Sequence, residues 1–412
     1  MIGESNIANI VNDCEVCGES ALPTVLDLGL HPLCDDLVPI GSGRSSREYP
    51  IQILWCGKCG TAHQKYQIPR SNLFPLTYHY RARFTANVLN GMHDLVESCI
   101  AHLGSLKGKL VLDVGCNDGS LLNAFRAKGA ITLGVEPTGA YADASSSGHN
   151  IVNDFFTPST AASLAANFGK PDIITFTNVF AHIENLPELV DALRVVSSSE
   201  TTLVIENHYL GSILDKGQFD TFYHEHPRTY SLNSFRYIAR QLGLRITEFT
   251  FPERYGGNIR VFMGRGNGIE ENLVDLAIRE KISREVSFGE RLVSLHAAIA
   301  EWRLKKRRLI DELVSLHGPL PSKSFPGRAA ILITLLGLSE REISACYEKP
   351  GSMKIGYCIP GTTVQICSDE EIPLEAPVLI NFAWHISDEI RSYLRSLGFR
   401  GEIHNIFSPD EL

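Results

Sequence analysis

No stretch of this chain approaches the ~20 consecutive apolar positions that a bilayer-spanning helix requires. The longest apolar run, Ala329 to Leu338, is about half that length. Basic residues are in deficit: 38 Lys and Arg face 47 Asp and Glu, for a net charge of −9. That balance argues against a protein whose main task is gripping nucleic-acid phosphates, which needs clustered Lys and Arg, although a local basic groove stays open. The opening Gly3, Glu4, Ser5 and Asn6 lack the basic start and apolar stretch of a signal peptide. Internal repeats and low-complexity tracts are missing too. The expectation is a soluble cytoplasmic chain that meets neither membrane nor nucleic acid. Its 412 residues and 44% apolar content suggest about three folding units, each with an ordinary core.

Ten cysteines are too few for a disulfide scaffold of this size. Four fall into two Cys-x-x-Cys pairs, Cys14/Cys17 and Cys56/Cys59, while Cys34, Cys99, Cys116, Cys346, Cys358 and Cys367 show no paired spacing. Both pairs read as knuckles, each followed by a glycine (Gly18, Gly60) that lets the backbone turn its amides toward the thiolates. Four sulfurs can then surround one structural Zn2+ tetrahedrally, as in a zinc ribbon. The long spacing between the pairs predicts a small strand-rich insert. A closed four-sulfur site folds its module rather than catalysing.

Leu73 to Leu106 carries an aromatic cluster, Tyr78-His79-Tyr80-Arg81, and then a helical stripe of Val88, Met92, Leu95, Val96 and Ile100. From Lys109 the pattern alternates strands and helices. Leu110 to Val114, Ile131 to Val135, Asp172 to Thr177 and Thr201 to Glu206 read as strands of a doubly wound parallel sheet. Residues 270 to 317 read as helical, with Phe288, Leu292, Leu295, Ile299 and Trp302 forming one apolar stripe that Leu309, Leu313 and Leu316 continue. The basic run Arg303, Lys305, Lys306, Arg307, Arg308 reads as a solvated face. After Pro319, Pro321 and Pro326 a second α/β pattern runs to Leu412, with a buried strand at Val378 to Phe382 and a helix at Ser387 to Leu397.

The turn Gly115-Cys116-Asn117-Asp118-Gly119 follows the first strand of the alternating region. Asp113 precedes it, and Glu136 closes the next strand, where a carboxylate can accept hydrogen bonds from both hydroxyls of a ribose. A dinucleotide site usually shows the tighter Gly-x-Gly-x-x-Gly turn, whereas here Asn117 and Asp118 crowd the loop. The extra carboxylate favours the cationic, amino-acid-bearing S-adenosylmethionine over NAD or FAD. Asp154, after the next apolar segment, could meet the adenine or serve as a helix cap.

Taken in order, the two cysteine pairs, Val111 to Gly119, Asn178-Val179-Phe180-Ala181-His182-Ile183 and Tyr223-His224-Glu225-His226 resemble the three-domain sugar C-3′-methyltransferases of deoxysugar biosynthesis. The likeness covers nearly the whole chain. It implies a zinc-binding module (1–70), a Rossmann-like S-adenosylmethionine-dependent methyltransferase domain (71–265), and a helical linker with a C-terminal Rossmann-like α/β domain (266–412). It also implies a small-molecule substrate, a nucleotide-linked 4-keto-6-deoxy sugar. Tyr223, Glu225 and His226 would line the sugar site, with His226 as general base and His182 as a further site residue. Tyr78 or Tyr80 would close over the sugar, and Asn178 would lie with the cofactor.

Carbon methylation beside a ketone requires a base, a donor for the enolate oxygen and a fixed approach to the methyl. The Tyr223 to His226 segment carries the residue types, and imidazole titrates near physiological pH. A strict strand would put His224 and His226 on one face and Tyr223 and Glu225 on the other, so this reading needs an irregular loop. A polar loop satisfying its own backbone is the alternative. One departure stands out: where the family carries a Gly-Ala-x-Ala-Lys-Gly-like loop, this chain reads Gly327-Arg328-Ala329-Ala330-Ile331-Leu332, which leaves the substrate open. The competing functions are a zinc-ribbon RNA methyltransferase, a methyltransferase for a non-sugar substrate, and a catalytically silent scaffold.

Overall fold

Alternation of apolar and polar residues builds the first sheet. In the computed structural model, which describes residues 9–78, 80–265 and 270–412, Thr24–Pro32 pairs antiparallel with Glu48–Cys56, and that strand with Thr61–Gln64. Leu26, Leu28, Ile51 and Ile53 point inward and are buried, as one-sided antiparallel strands require. This is the strand-rich insert expected between the cysteine pairs. Its fourth strand is Arg228–Thr229, which comes from far along the chain and pairs with His63 and Ala62.

The central sheet has seven strands in the order 245–250, 258–264, 202–208, 173–177, 110–114, 131–135, 150–152. Helices cover it, so Val111, Leu112, Ile173, Ile174, Phe176, Val204 and Ile205 are fully buried. The sheet is not wholly parallel, as the sequence had suggested: Asn258–Gly264 runs antiparallel to both of its neighbours. The connection from Arg245–Thr250 is too short for the crossover that a parallel pair demands, and Gly256 and Gly257 turn it at φ 86° and 128°. Fully buried Glu206 holds this return strand, accepting from Asn258 Nδ2 at 3.0 Å and Arg260 Nε at 2.7 Å.

Ala86–Leu103 buries Val88, Met92, Leu95, Val96 and Cys99 against the sheet. Glu270–Glu285 and Phe288–His317 form the long helical connection. The stripe from Phe288 to Trp302 is buried and continues through Lys306 and Ile310 to a half-buried Leu313 that packs against the core, whereas Leu309 is half-buried and Leu316 leaves the face. Seven-residue steps drift off a 3.6-residue face, and Leu316 is 74% exposed. The basic run is therefore not a uniform solvated face either. Lys306 lies under cover, donating to Asn405 O at 3.1 Å and pairing with Glu411.

The last sheet has five strands, all parallel, in the order 366–368, 343–348, 320–323, 378–381, 402–405. The altered stretch after Leu320–Lys323 opens the helix Ala329–Leu336, in which Ile331 and Leu332 are fully buried. The two positions at which this stretch departs from the expected loop have thus become core. Val38–Pro39 pairs with Tyr357–Cys358, joining the first unit to the last, and one continuous apolar cluster runs through all three sheets.

Candidate active site and metal centre

Each knuckle closes on its glycine. Gly18 and Gly60 adopt φ 73° and 74°, and their amides donate to Cys14 O and Cys56 O at 2.9 and 2.8 Å. The four sulfurs of Cys14, Cys17, Cys56 and Cys59 lie within 4.8 Å of one another, and none is in a disulfide. Tetrahedral Zn–S bonds of about 2.3 Å place sulfurs roughly 3.8 Å apart, so the residues fit a zinc ion. Outer groups are in place: His63 Nε2 is 3.3 Å from Cys14 Sγ, and Thr61 Oγ1 is 3.0 Å from Cys59 Sγ. Such partners orient the ligating atoms.

At the carboxyl end of Leu110–Val114, Gly115, Asn117 and Gly119 all have positive φ, at 72°, 50° and 79°. A Cβ on Gly115 would stand 2.6 Å from Val179 Cγ2, so only glycine lets the two loops meet. Glu136 accepts from Asn117 N at 2.9 Å and from Thr138 N at 2.9 Å. Asp118 accepts from Arg83 N at 2.9 Å, and Asn117 Oδ1 from Ala82 N at 3.0 Å. Asn117 Nδ2 donates to Tyr80 O at 3.1 Å. Asp113 is buried beneath the turn, where Thr175 Oγ1 donates to it at 2.7 Å. Burial raises its pKa to about 7. Asp154 is exposed and accepts from Phe155 N at 2.7 Å, a local turn contact. Asn178 takes φ 54° and accepts from Asn258 Nδ2 at 3.2 Å.

Tyr223-His224-Glu225-His226 forms an irregular turn, closed by His226 N donating to Tyr223 O at 2.9 Å. The turn brings Tyr223, Glu225 and His226 to one side, as no straight strand could. His226 Nδ1 donates to Thr221 O at 2.8 Å; a carbonyl only accepts, so Nε2 is the ring's acceptor. His182 Nδ1 donates to Glu225 O at 2.7 Å, and its ring centre is 4.8 Å from that of His226. The Tyr223 ring is 4.2 Å from the His226 ring, and Tyr78 Oη donates to Glu225 Oε2 at 3.3 Å. His224 turns the other way, donating through Nε2 to Tyr49 O at 3.2 Å. Of the two candidate tyrosines, Tyr78 reaches Glu225; Tyr80 is 41% exposed and meets the glycine turn through its carbonyl. His79 lies outside the described residues.

Burial sets the charge state of this cluster. It holds the imidazole of His226 well below the usual range, helped by His182 and His208, and lowers His182 to about 4. It pushes the carboxyl of Glu225 well above the usual range, reinforced by Asp35. Near neutrality the histidines are therefore neutral, and Glu225 is displaced toward its protonated form.

Several residues here escaped the sequence reading. His208 stands at the carboxyl end of Thr202–His208, its ring 5.6 Å from that of His226. A polar residue ending a buried strand was the available signal. Asp220 is buried and binds Arg328, with Arg328 Nε 2.8 Å from Asp220 Oδ2 and Trp384 Nε1 at the same distance. No spacing rule couples residues so far apart in the chain.

A Gly turn over a buried aspartate on a seven-stranded sheet with an antiparallel insertion defines an S-adenosylmethionine-dependent methyltransferase, and residues 86–248 match the family described as a methyltransferase domain. Residues 14–74 match a putative zinc binding domain, and residues 253–403 a C-methyltransferase C-terminal domain. The three matches follow one another in the order of the three-domain C-methyltransferases, and the chain is an S-adenosylmethionine-dependent C-methyltransferase that carries a structural zinc site. It is 27% identical over 392 residues to the C-methyltransferase NovU of Streptomyces niveus, spanning 93% of this chain and 92% of that protein. Among solved structures it resembles the magnesium protoporphyrin IX methyltransferase of Synechocystis PCC 6803 with bound S-adenosylmethionine (16% identity, 44% of this chain and 80% of that one, TM-score 0.33). It also resembles a SAM-dependent methyltransferase from Archaeoglobus fulgidus (17% identity, 39% and 71%, TM-score 0.32).

Because the metal closes the first module, Cys56→Ser should release the zinc and lower the melting temperature by several degrees, since metal binding there is folding energy. Metal analysis and a thermal melt check this. Zinc retained with unchanged melting would overturn the four-sulfur assignment.

Proposed function

We propose that the chain methylates C-3 of a nucleotide-activated 4-keto-deoxysugar through an enolate. One observation carries the reading: Tyr80 and Ala82 touch the glycine turn, and Tyr78 close by touches Glu225. Tyr80 O and Ala82 N hold Asn117, while Tyr78 Oη donates to Glu225. A donor lying on the turn and a substrate lying on the polar cluster would share that wall. The order of the motifs from the cysteine pairs to His226, similar to that of the sugar C-3′-methyltransferases, supports a keto sugar as acceptor.

The ketone at C-4 acidifies the C-3 hydrogen. His226 Nε2, the free acceptor of a ring fixed by Thr221 O, takes it as a proton, and the C–H electron pair passes into the enolate. A protonated Glu225 backed by Tyr78 donates to the oxygen that gains charge, the role a neutral buried carboxylic acid can fill. His182 and Tyr223 hold the base and the turn in place. S-adenosylmethionine supplies a methyl on a positively charged sulfur, and Asp113, Gly115, Asn117, Asp118, Gly119, Glu136 and Asn178 would hold it, with Asp154 at the adenine end. Burial keeps water from quenching the enolate.

His226→Asn should cut methyl transfer by ~10²-fold or more, the span of general-base effects, with S-adenosylmethionine affinity by calorimetry nearly unchanged. It should also stop deuterium exchange at C-3 of a nucleotide-linked 4-keto sugar in D2O, which reports proton removal apart from methylation. Normal turnover in the variant would remove His226 as base, and a parent that neither exchanges nor methylates any 4-keto sugar would end the substrate reading.

Asp113 gives the cofactor step a pH dependence. Its pKa is raised to about 7 by burial, and a bound cation favours the ionised form. Affinity should therefore weaken as pH falls below 7, by up to ~10-fold per pH unit, with a proton released on binding. Calorimetry from pH 5.5 to 8 checks this, and Asp113→Asn should flatten the profile. A flat profile in the parent would show that Asp113 does not titrate against the cofactor.

A further inference from the structure

We propose that Arg228 is a positioning residue that carries the geometry of the zinc knuckle into the catalytic turn; this rests on the site assigned above. Arg228 follows His226 by two residues and its side chain is fully buried. Its guanidinium is shared between two parts of the molecule. Nη1 pairs with Glu15 Oε2 at 2.6 Å, and Glu15 lies inside the first Cys-x-x-Cys pair, between Cys14 and Cys17. On the other side Nη1 donates to Glu184 O at 3.1 Å and Nη2 to Ile183 O. Those are the two carbonyls that immediately follow His182. Nε donates to Tyr230 Oη at 3.0 Å.

One planar fork therefore fixes three things at once: the main chain leaving His182, the main chain leaving His226 and the knuckle. The backbone repeats the link, because Arg228–Thr229 is the fourth strand of the zinc-module sheet, in register with His63 and Ala62. His63 stands 3.3 Å from Cys14 Sγ and 3.6 Å from Glu15 Oε2. Gln67 Nε2 donates to the same carboxylate at 2.8 Å. The two rings stand 4.8 Å apart, and among the described residues no side-chain hydrogen bond from the turn itself reaches the carbonyls after His182. An arginine serves where a lysine cannot, because its donors leave in fixed directions and can engage a carboxylate and two carbonyls together. A displacement of about 1 Å in such a constellation can cost on the order of 100-fold in rate.

The test compares Glu15→Gln and Arg228→Lys with the parent, all as full-length zinc-loaded protein. Zinc content, S-adenosylmethionine affinity, steady-state kinetics and imidazole NMR signals are read together, with His182 and His226 assigned by single substitution. The expected result is one zinc per chain and cofactor affinity within about 2-fold in Glu15→Gln. Its kcat should fall ~10-fold or more with little change in KM, the His182 and His226 signals should move, and those of exposed His296 and His317 should not. Arg228→Lys should show a larger loss in the same direction. Zinc-replete variants with unmoved ring signals and parental kcat would overturn the proposal. So would loss of zinc from both, which would make the pair a fold element alone. The NMR signals need no substrate, so a failure of the keto-sugar reading would leave this result standing.

Discussion

Desolvation is the constraint on which this site depends. Tyr78, His182, His208, Tyr223, Glu225 and His226 are drawn from four separate stretches of chain and enclosed together, and burial is the largest influence on the titration of every one of them. Charged, such a group would be prohibitive to bury; neutral, its members need only hydrogen-bond partners. Main-chain carbonyls supply some of these: Thr221 O takes the His226 proton and Glu225 O that of His182. The same satisfaction that makes burial tolerable fixes which ring nitrogen of His226 is the acceptor. Burial and hydrogen bonding thus act together to orient these rings and to disfavour charge on them.

Enclosure also explains why three units are required. The central sheet presents His182 and His208 at its carboxyl edge, where open α/β sheets bind ligands, but an edge faces water. The first module closes one flank by adding the strand that follows His226 to its own sheet. The last unit closes another: Arg328 forms a forked pair with Asp220, which precedes Tyr223 by three residues, and lies over the Trp384 ring at 5.2 Å. A forked Arg–carboxylate pair sets orientation as well as distance. The departure at Gly327 to Leu332 has its physical sense here. Arg328 pairs with Asp220 beside the Tyr223 to His226 turn, while Ile331 and Leu332, at the positions of the family's Lys and second Gly, fill the helix core behind it.

What could be read in the sequence followed the range of each signal. The knuckles, the Gly115–Gly119 turn and the buried strands are local patterns, decided by spacing of a few residues, and they stand where the sequence put them. The stripe on the long helix was legible as far as Trp302 and was lost at Lys306, because a lysine that satisfies its ammonium on Asn405 O and Glu411 is indistinguishable in sequence from a solvated one. The antiparallel return strand was missed because strand direction is written in connection length rather than in apolar content. His208, Asp220 and Arg328 were missed because their meaning is pairwise, and their partners lie tens of residues or more away.

The Tyr-His-Glu-His segment shows how local and distant information combine. Its residue types name a chemistry, yet its alternation, read as a strand, would split them between two faces. The turn closed by His226 N on Tyr223 O resolves the conflict by sending His224 to Tyr49 O in the zinc module and the other three toward Tyr78 and His182. His224 is thus the anchor of the turn: one of the four binds the flank while the other three face the proposed site, and the sequence could not say which. The division follows from packing, since a buried turn between two bodies must satisfy polar groups on both sides. A segment that serves chemistry alone would have no reason to carry a second histidine facing away from it.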